Sequence, residues 1–145
     1  MYHVVVPIDG ERERAENATD YLIGLIDDEG LLDDPGHVTV SLVNVFKEFR
    51  AVDEGGNVRS DDLYDETAVP DSVTEARARL EAAGFDVDLV RRHGDPAEEI
   101  LEYVEAVDAD AIVVPARKRS TVGKAVFGSV AQEVILGSER PVTVV

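Results

Sequence analysis

The chain has 145 residues, 31 of them acidic against 14 basic, for a formal net charge of -17, and it contains no cysteine. That length is one ordinary domain, able to bury roughly 70% of its unfolded surface, and the missing cysteine excludes disulfides, iron–sulfur clusters, thiolate zinc sites and cysteine nucleophiles. The acid surplus argues against nucleic acid and anionic membranes as partners, because affinity for polyanions comes from lysine and arginine on phosphates.

The apolar runs are only a few residues long, far short of the ~20 that span a bilayer. The opening MYHVVVPIDG has neither a basic n-region nor a long apolar h-region. The expected location is therefore the cytoplasm. Of the basic residues, only Lys47, Lys118 and Lys124 are lysine. A surface so acidic and lysine-poor, whose self-repulsion salt would screen, predicts a high-salt cytoplasm.

In chain order, Tyr2 to Ile8 (YHVVVPI) has strand length and β-branched content and leads into Asp9-Gly10. Ala15, Ala18, Leu22, Leu25 and Ile26 then repeat at helical spacing, with Gly30 as a stop. His37 to Phe46 (HVTVSLVNVF) reads as the second strand. Lys47 to Val69, with Gly55-Gly56 at its centre, fits no compact element, and at that length a mobile covering loop is expected. Its Phe49 and Tyr64 have two readings, packing over a bound ring or pinning the loop to its own domain.

Ser72 with Glu75 reads as a capping box opening a helix through Val73, Ala76, Leu80 and Ala83, with Gly84 as its stop. Phe85 to Val90 (FDVDLV) is the third strand. Asp95-Pro96-Ala97-Glu98 places a carboxylate at an N-cap and proline at the first helical position, so a helix through Ile100, Leu101, Val104 and Val107 starts there. Ala111 to Val114 (AIVV) is the fourth strand. Val122, Val126, Val130 and Val134 predict a helix from near Thr121 or Val122 to Gly137, and Val142 to Val145 (VTVV) is the last strand. The order βαβαβαβαβ over residues 1–145 predicts one α/β domain, a doubly wound five-stranded parallel sheet with helices on both faces. Ligands of such sheets lie beyond the carboxyl ends of the strands, where the winding reverses.

Searches for established chemistry return little. Gly123-Lys124 is followed by Ala125, which is no P-loop, and Asp9-Gly10-Glu11-Arg12-Glu13 has one glycine where a dinucleotide fingerprint needs three. His3, His37 and His93 are far apart, so no metal site is expected, and His3 reads as a core or edge histidine. The acidic pairs Asp27-Asp28, Asp33-Asp34 and Asp61-Asp62 lack the spacing of a calcium loop. Ser129 has no nucleophile-elbow pattern, and no catalytic residue is assigned. One feature stands out: Arg117, Lys118, Arg119 and Lys124 form a basic patch after the fourth strand with no carboxylate among them. Beside a helix N-terminus it would suit a phosphate; the plain alternative is pairing with carboxylates of the same surface.

The VVVPIDG strand, the segment Gly94-Asp95-Pro96-Ala97-Glu98-Glu99-Ile100, the Gly128-Ser129-Val130 turn and the closing Arg140-Pro141-Val142-Thr143-Val144-Val145 together resemble the universal stress protein (UspA) family along the whole chain. The resemblance implies a Rossmann-like five-stranded sheet, ATP as ligand, and a homodimer joined through the C-terminal strand. ATP-binding members carry glycine, two residues, glycine, nine residues, then glycine with serine or threonine. Counted back from Gly128-Ser129, the first two positions are Pro115 and Lys118, or Ala116 for the first if one residue is gapped. By resemblance Asp9, with Pro7 beside it, would face the nucleoside, Val45 would offer backbone groups to the base, and Gly128, Ser129 and Val130 would face the phosphates. Lys118 and Arg119 would replace lost backbone donors with charge. The expected function is nucleotide-dependent regulation in a stress response; the rival is a dimeric interaction module that binds no nucleotide.

Overall fold

The computed structural model describes residues 2–27, 34–46, 69–115 and 128–145. They form β1 (Tyr2–Pro7), α1 (Arg12–Asp27), β2 (Val38–Phe46), α2 (Asp71–Ala82), β3 (Asp86–His93), α3 (Pro96–Val107), β4 (Ala111–Val114), α4 (Ser129–Gly137) and β5 (Val142–Val144), with a 3-10 turn at Pro35–His37. The strands lie in the order β3-β2-β1-β4-β5 and every neighbouring pair is parallel. This is the doubly wound sheet that the sequence predicts. The winding moves outward from β1 through β2 to β3, then crosses back to β4 on the other side of β1. The switch point is therefore the β1–β4 boundary.

Reversal of direction with right-handed crossovers puts successive helix pairs on opposite faces. On one face Val4, Val6, Val40, Leu42 and Val87 of the sheet meet Ala15, Ala18 and Leu22 of α1 and Val73, Ala76 and Leu80 of α2. On the other, Val5, Val43, Ile112 and Val114 meet Ala97, Ile100 and Val104 of α3 and Ala131 and Val134 of α4. The i, i+3, i+7 spacing on α1 and α2 is thus the stripe each turns inward. Arg12 with Glu75, and Arg79 with Asp20 at 2.7 Å, tie α1 to α2 at the surface. At the far edge Arg140 holds β5, donating from Nε to the Ala109 carbonyl at 2.9 Å and from Nη2 to Asp108 Oδ1 at 2.9 Å.

Several local expectations are met and several are corrected. Asp95 caps α3, accepting from the Glu98 amide at 3.1 Å, with Pro96 at the first helical position. Gly84 follows α2 at φ 107°, and a Cβ there would lie 2.9 Å from the Pro35 ring. Ser72 is not a cap: α2 starts at Asp71, and the buried Ser72 hydroxyl donates to the Gly10 carbonyl at 3.3 Å. Gly137 is the last helical residue of α4, not a left-handed stop; a Cβ there would meet Leu101 Cδ1 at 2.8 Å, so glycine permits α4 to approach α3. β3 runs to His93, three residues past the apolar run, because Arg91, Arg92 and His93 pair by backbone with Asn44, Val45 and Phe46 on an edge strand that tolerates polar side chains.

The expected start of the last helix is also corrected. Gly128 is extended (φ -66°, ψ 160°) and the first helical bond runs from the Gln132 amide to its carbonyl at 3.1 Å. The described helix therefore begins at Ser129, not near Thr121 or Val122. His3, expected as a core or edge histidine, is partly buried on the central strand β1: Nε2 lies 2.6 Å from Ser41 Oγ, which lies 3.0 Å from the Tyr103 hydroxyl. Gly30, the loop Lys47–Val69 apart from Val69, Val122, Val126 and the whole basic patch lie outside the described residues.

Candidate functional site

β1, β2 and β4 lie side by side, and their carboxyl ends meet at the switch point. The opening left there is a cleft of about 270 Å³, close to the lower end of small-molecule sites (~300–1,000 Å³). Its floor and walls are apolar: Val43 and Val45 from β2, Val114 from β4, Ile100 from α3, with Pro7, Ile8, Pro96 and Pro115 around them. Period 2 explains the β2 pair, since Val43 and Val45 share a face. Polar groups sit at two places. Asp9 and Arg14 lie where β1 leads into α1, and Gly128, Ser129 and Val130 lie where α4 begins.

The carboxylate of Asp9 is held from several sides. Oδ1 accepts from the Glu11 amide at 3.0 Å, and Oδ2 accepts from Arg14 Nη2 at 2.9 Å and Nε at 3.2 Å. Two helix N-termini border the cleft and differ in charge. The start of α3 has the Asp95 carboxylate on it and Glu98 and Glu99 in its first turn, so its positive end is already answered. Among the described residues, the start of α4 has no side-chain cap and no acidic residue in its first turn. A helix start without carboxylates favours an anion at that end.

Six of the residues expected at a ligand site, Pro7, Asp9, Val45, Gly128, Ser129 and Val130, line this one cleft. Ala116, Lys118 and Arg119 lie outside the described residues. Sequence reasoning passed over Arg14, Ile100 and Val114. Ile100 and Val114 carry only the signal of core residues, and Arg14 only that of one charge among several at the start of α1.

Fold and site define an open α/β protein with a cleft at its topological switch point. The chain belongs to the universal stress protein family, whose model matches residues 1–145. The stress response protein NhaX of Bacillus subtilis is 37% identical over 73 residues, covering 50% of this chain and 44% of that protein. A universal stress protein of Mycolicibacterium smegmatis is 35% identical over 74 residues, covering 50% and 57%. Each match thus spans about half the length of the relative. Among solved structures, a universal stress protein from Archaeoglobus fulgidus is 28% identical over 99% of this chain and 98% of that one, with a TM-score of 0.68. A structure of the universal stress protein of that organism in complex with dAMP aligns at 24% identity, 99% and 97% coverage and a TM-score of 0.64. An Arabidopsis thaliana family protein with AMP bound aligns at 15% identity, 100% and 90% coverage and a TM-score of 0.65.

Proposed function

We propose that the cleft binds an adenine nucleotide, with ATP the first to test, and that the protein acts in a stress response by nucleotide-dependent binding, not catalysis. The observation that carries this is the three environments that one cleft brings together: a fixed carboxylate at Asp9, an apolar wall of Val43, Val45, Ile100 and Val114, and the start of α4 at Gly128-Ser129. A nucleotide has a group for each: sugar hydroxyls that donate to a carboxylate, a flat base that gains from apolar burial, and phosphates that need donors. Proteins of this fold with dAMP and AMP bound show that the fold accommodates such ligands. Titration calorimetry tests the placement: Asp9→Ala should weaken adenosine and ATP by the same factor, about tenfold for one lost charge-assisted hydrogen bond. A loss confined to ATP contradicts a carboxylate on the nucleoside side.

A specific observation also favours self-association. β5 is the outer strand of the sheet, Val144 on it is 38% exposed, and Leu136 on the adjoining α4 is 85% exposed. Such an edge pairs readily with a second copy. We propose a homodimer through β5, compatible with nucleotide binding, and light scattering should give twice the 15.7 kDa chain mass. A monomer at micromolar concentration contradicts it.

A further inference from the structure

The geometry points to Arg14 as a positioning residue that sets ribose specificity in the cleft by orienting the Asp9 carboxylate; this rests on the nucleotide reading above. Asp9 alone is poorly placed to discriminate, because its side chain is 57% exposed and lies in the connection between β1 and α1. An exposed carboxylate on such a connection turns freely and is solvated, so ordering it opposes ligand binding. In this chain that ordering is done before any ligand arrives. The guanidinium of Arg14, anchored on α1 and 26% exposed, sets Nη2 and Nε on Oδ2 at 2.9 and 3.2 Å, with a longer Nε approach to Oδ1 at 3.4 Å. The Glu11 amide takes Oδ1 from the other side at 3.0 Å.

These contacts fix the carboxylate plane but do not exhaust it. A carboxylate has about four acceptor positions. Arg14 takes both positions on Oδ2 and the Glu11 amide takes one on Oδ1, so one acceptor position is left, on Oδ1, and both Asp9 and Arg14 line the cleft. A hydroxyl of the 2′,3′ pair of a ribonucleoside can donate to that fixed acceptor, and a sugar lacking both hydroxyls cannot. Arg14 then acts through Asp9 and not by meeting the phosphates, which the proposed function assigns to the start of α4.

The experiment compares ATP with 2′,3′-dideoxy-ATP on the full chain by calorimetry at fixed salt and magnesium. The two ligands carry the same phosphates, so any general loss of positive charge affects both alike. In the natural protein ATP should bind more tightly than the dideoxy form. Arg14→Met should reduce that preference about fivefold, Arg14→Lys should restore part of it, and Arg14→Met placed on Asp9→Ala should change the preference no further. Melting curves of each variant, within a few degrees of the natural protein, establish that they fold. If Arg14→Met weakens both ligands equally, or leaves the preference as it was, the positioning role is overturned while the nucleotide reading stands. If the natural protein binds neither ligand, both fall together.

Discussion

Leu80→Ala is expected to lower the free energy of unfolding by about 2–5 kcal/mol, a large part of the roughly 5–15 kcal/mol available to a domain of this size. Leu80 is completely buried in the face formed by α1, α2 and the β3-β2-β1 side of the sheet, among Val73, Ala76, Leu22 and Val87. Truncation removes its transfer energy and leaves a cavity that the flanking strands cannot collapse to fill, because they are fixed by parallel pairing on both sides of β2. Urea unfolding measures the loss, with an unchanged m-value showing that the fold is kept. A cost below about 1 kcal/mol, the range of exposed positions, contradicts the packing of α2 on the sheet.

Val45→Trp is expected to abolish nucleotide binding, a loss of at least about 100-fold, by placing an indole where the base would sit. Val45 lies one residue before the end of β2, is only partly buried, and lines the cleft with Val43. An indole there has open space in front of it, so the fold should survive with a melting temperature within a few degrees of the natural protein. Calorimetry with ATP reads the effect directly. Unchanged affinity in a folded variant places the nucleotide elsewhere.

The layers were legible in the sequence because each element keeps one period. Val4 and Val6 alternate with Val5 on β1, and Ala15, Ala18 and Leu22 recur along α1, so both the element and its buried face could be read. The misreadings have a common cause. Ser72 has the residue type of a cap and Gly137 that of a helix stop, but tertiary neighbours decide their roles: the Gly10 carbonyl takes the Ser72 hydroxyl, and Leu101 crowds Gly137. No local pattern contains those partners. Asp9 could be singled out by its position after the first strand. The Asp9–Arg14 pair could not, because its meaning depends on the cleft into which both residues face. Ile100 and Val114 look like any other core positions until they are seen to line the cleft.

The central claim, that an adenine nucleotide occupies the cleft at the β1–β4 switch point, is tested most directly by titrating the natural protein with ATP in calorimetry and following the same mixture by native mass spectrometry. The account predicts saturable binding of one ATP per chain, weakened by Asp9→Ala and lost in Val45→Trp. Absence of binding at millimolar ATP with magnesium, in a protein that also purifies free of nucleotide, would contradict it.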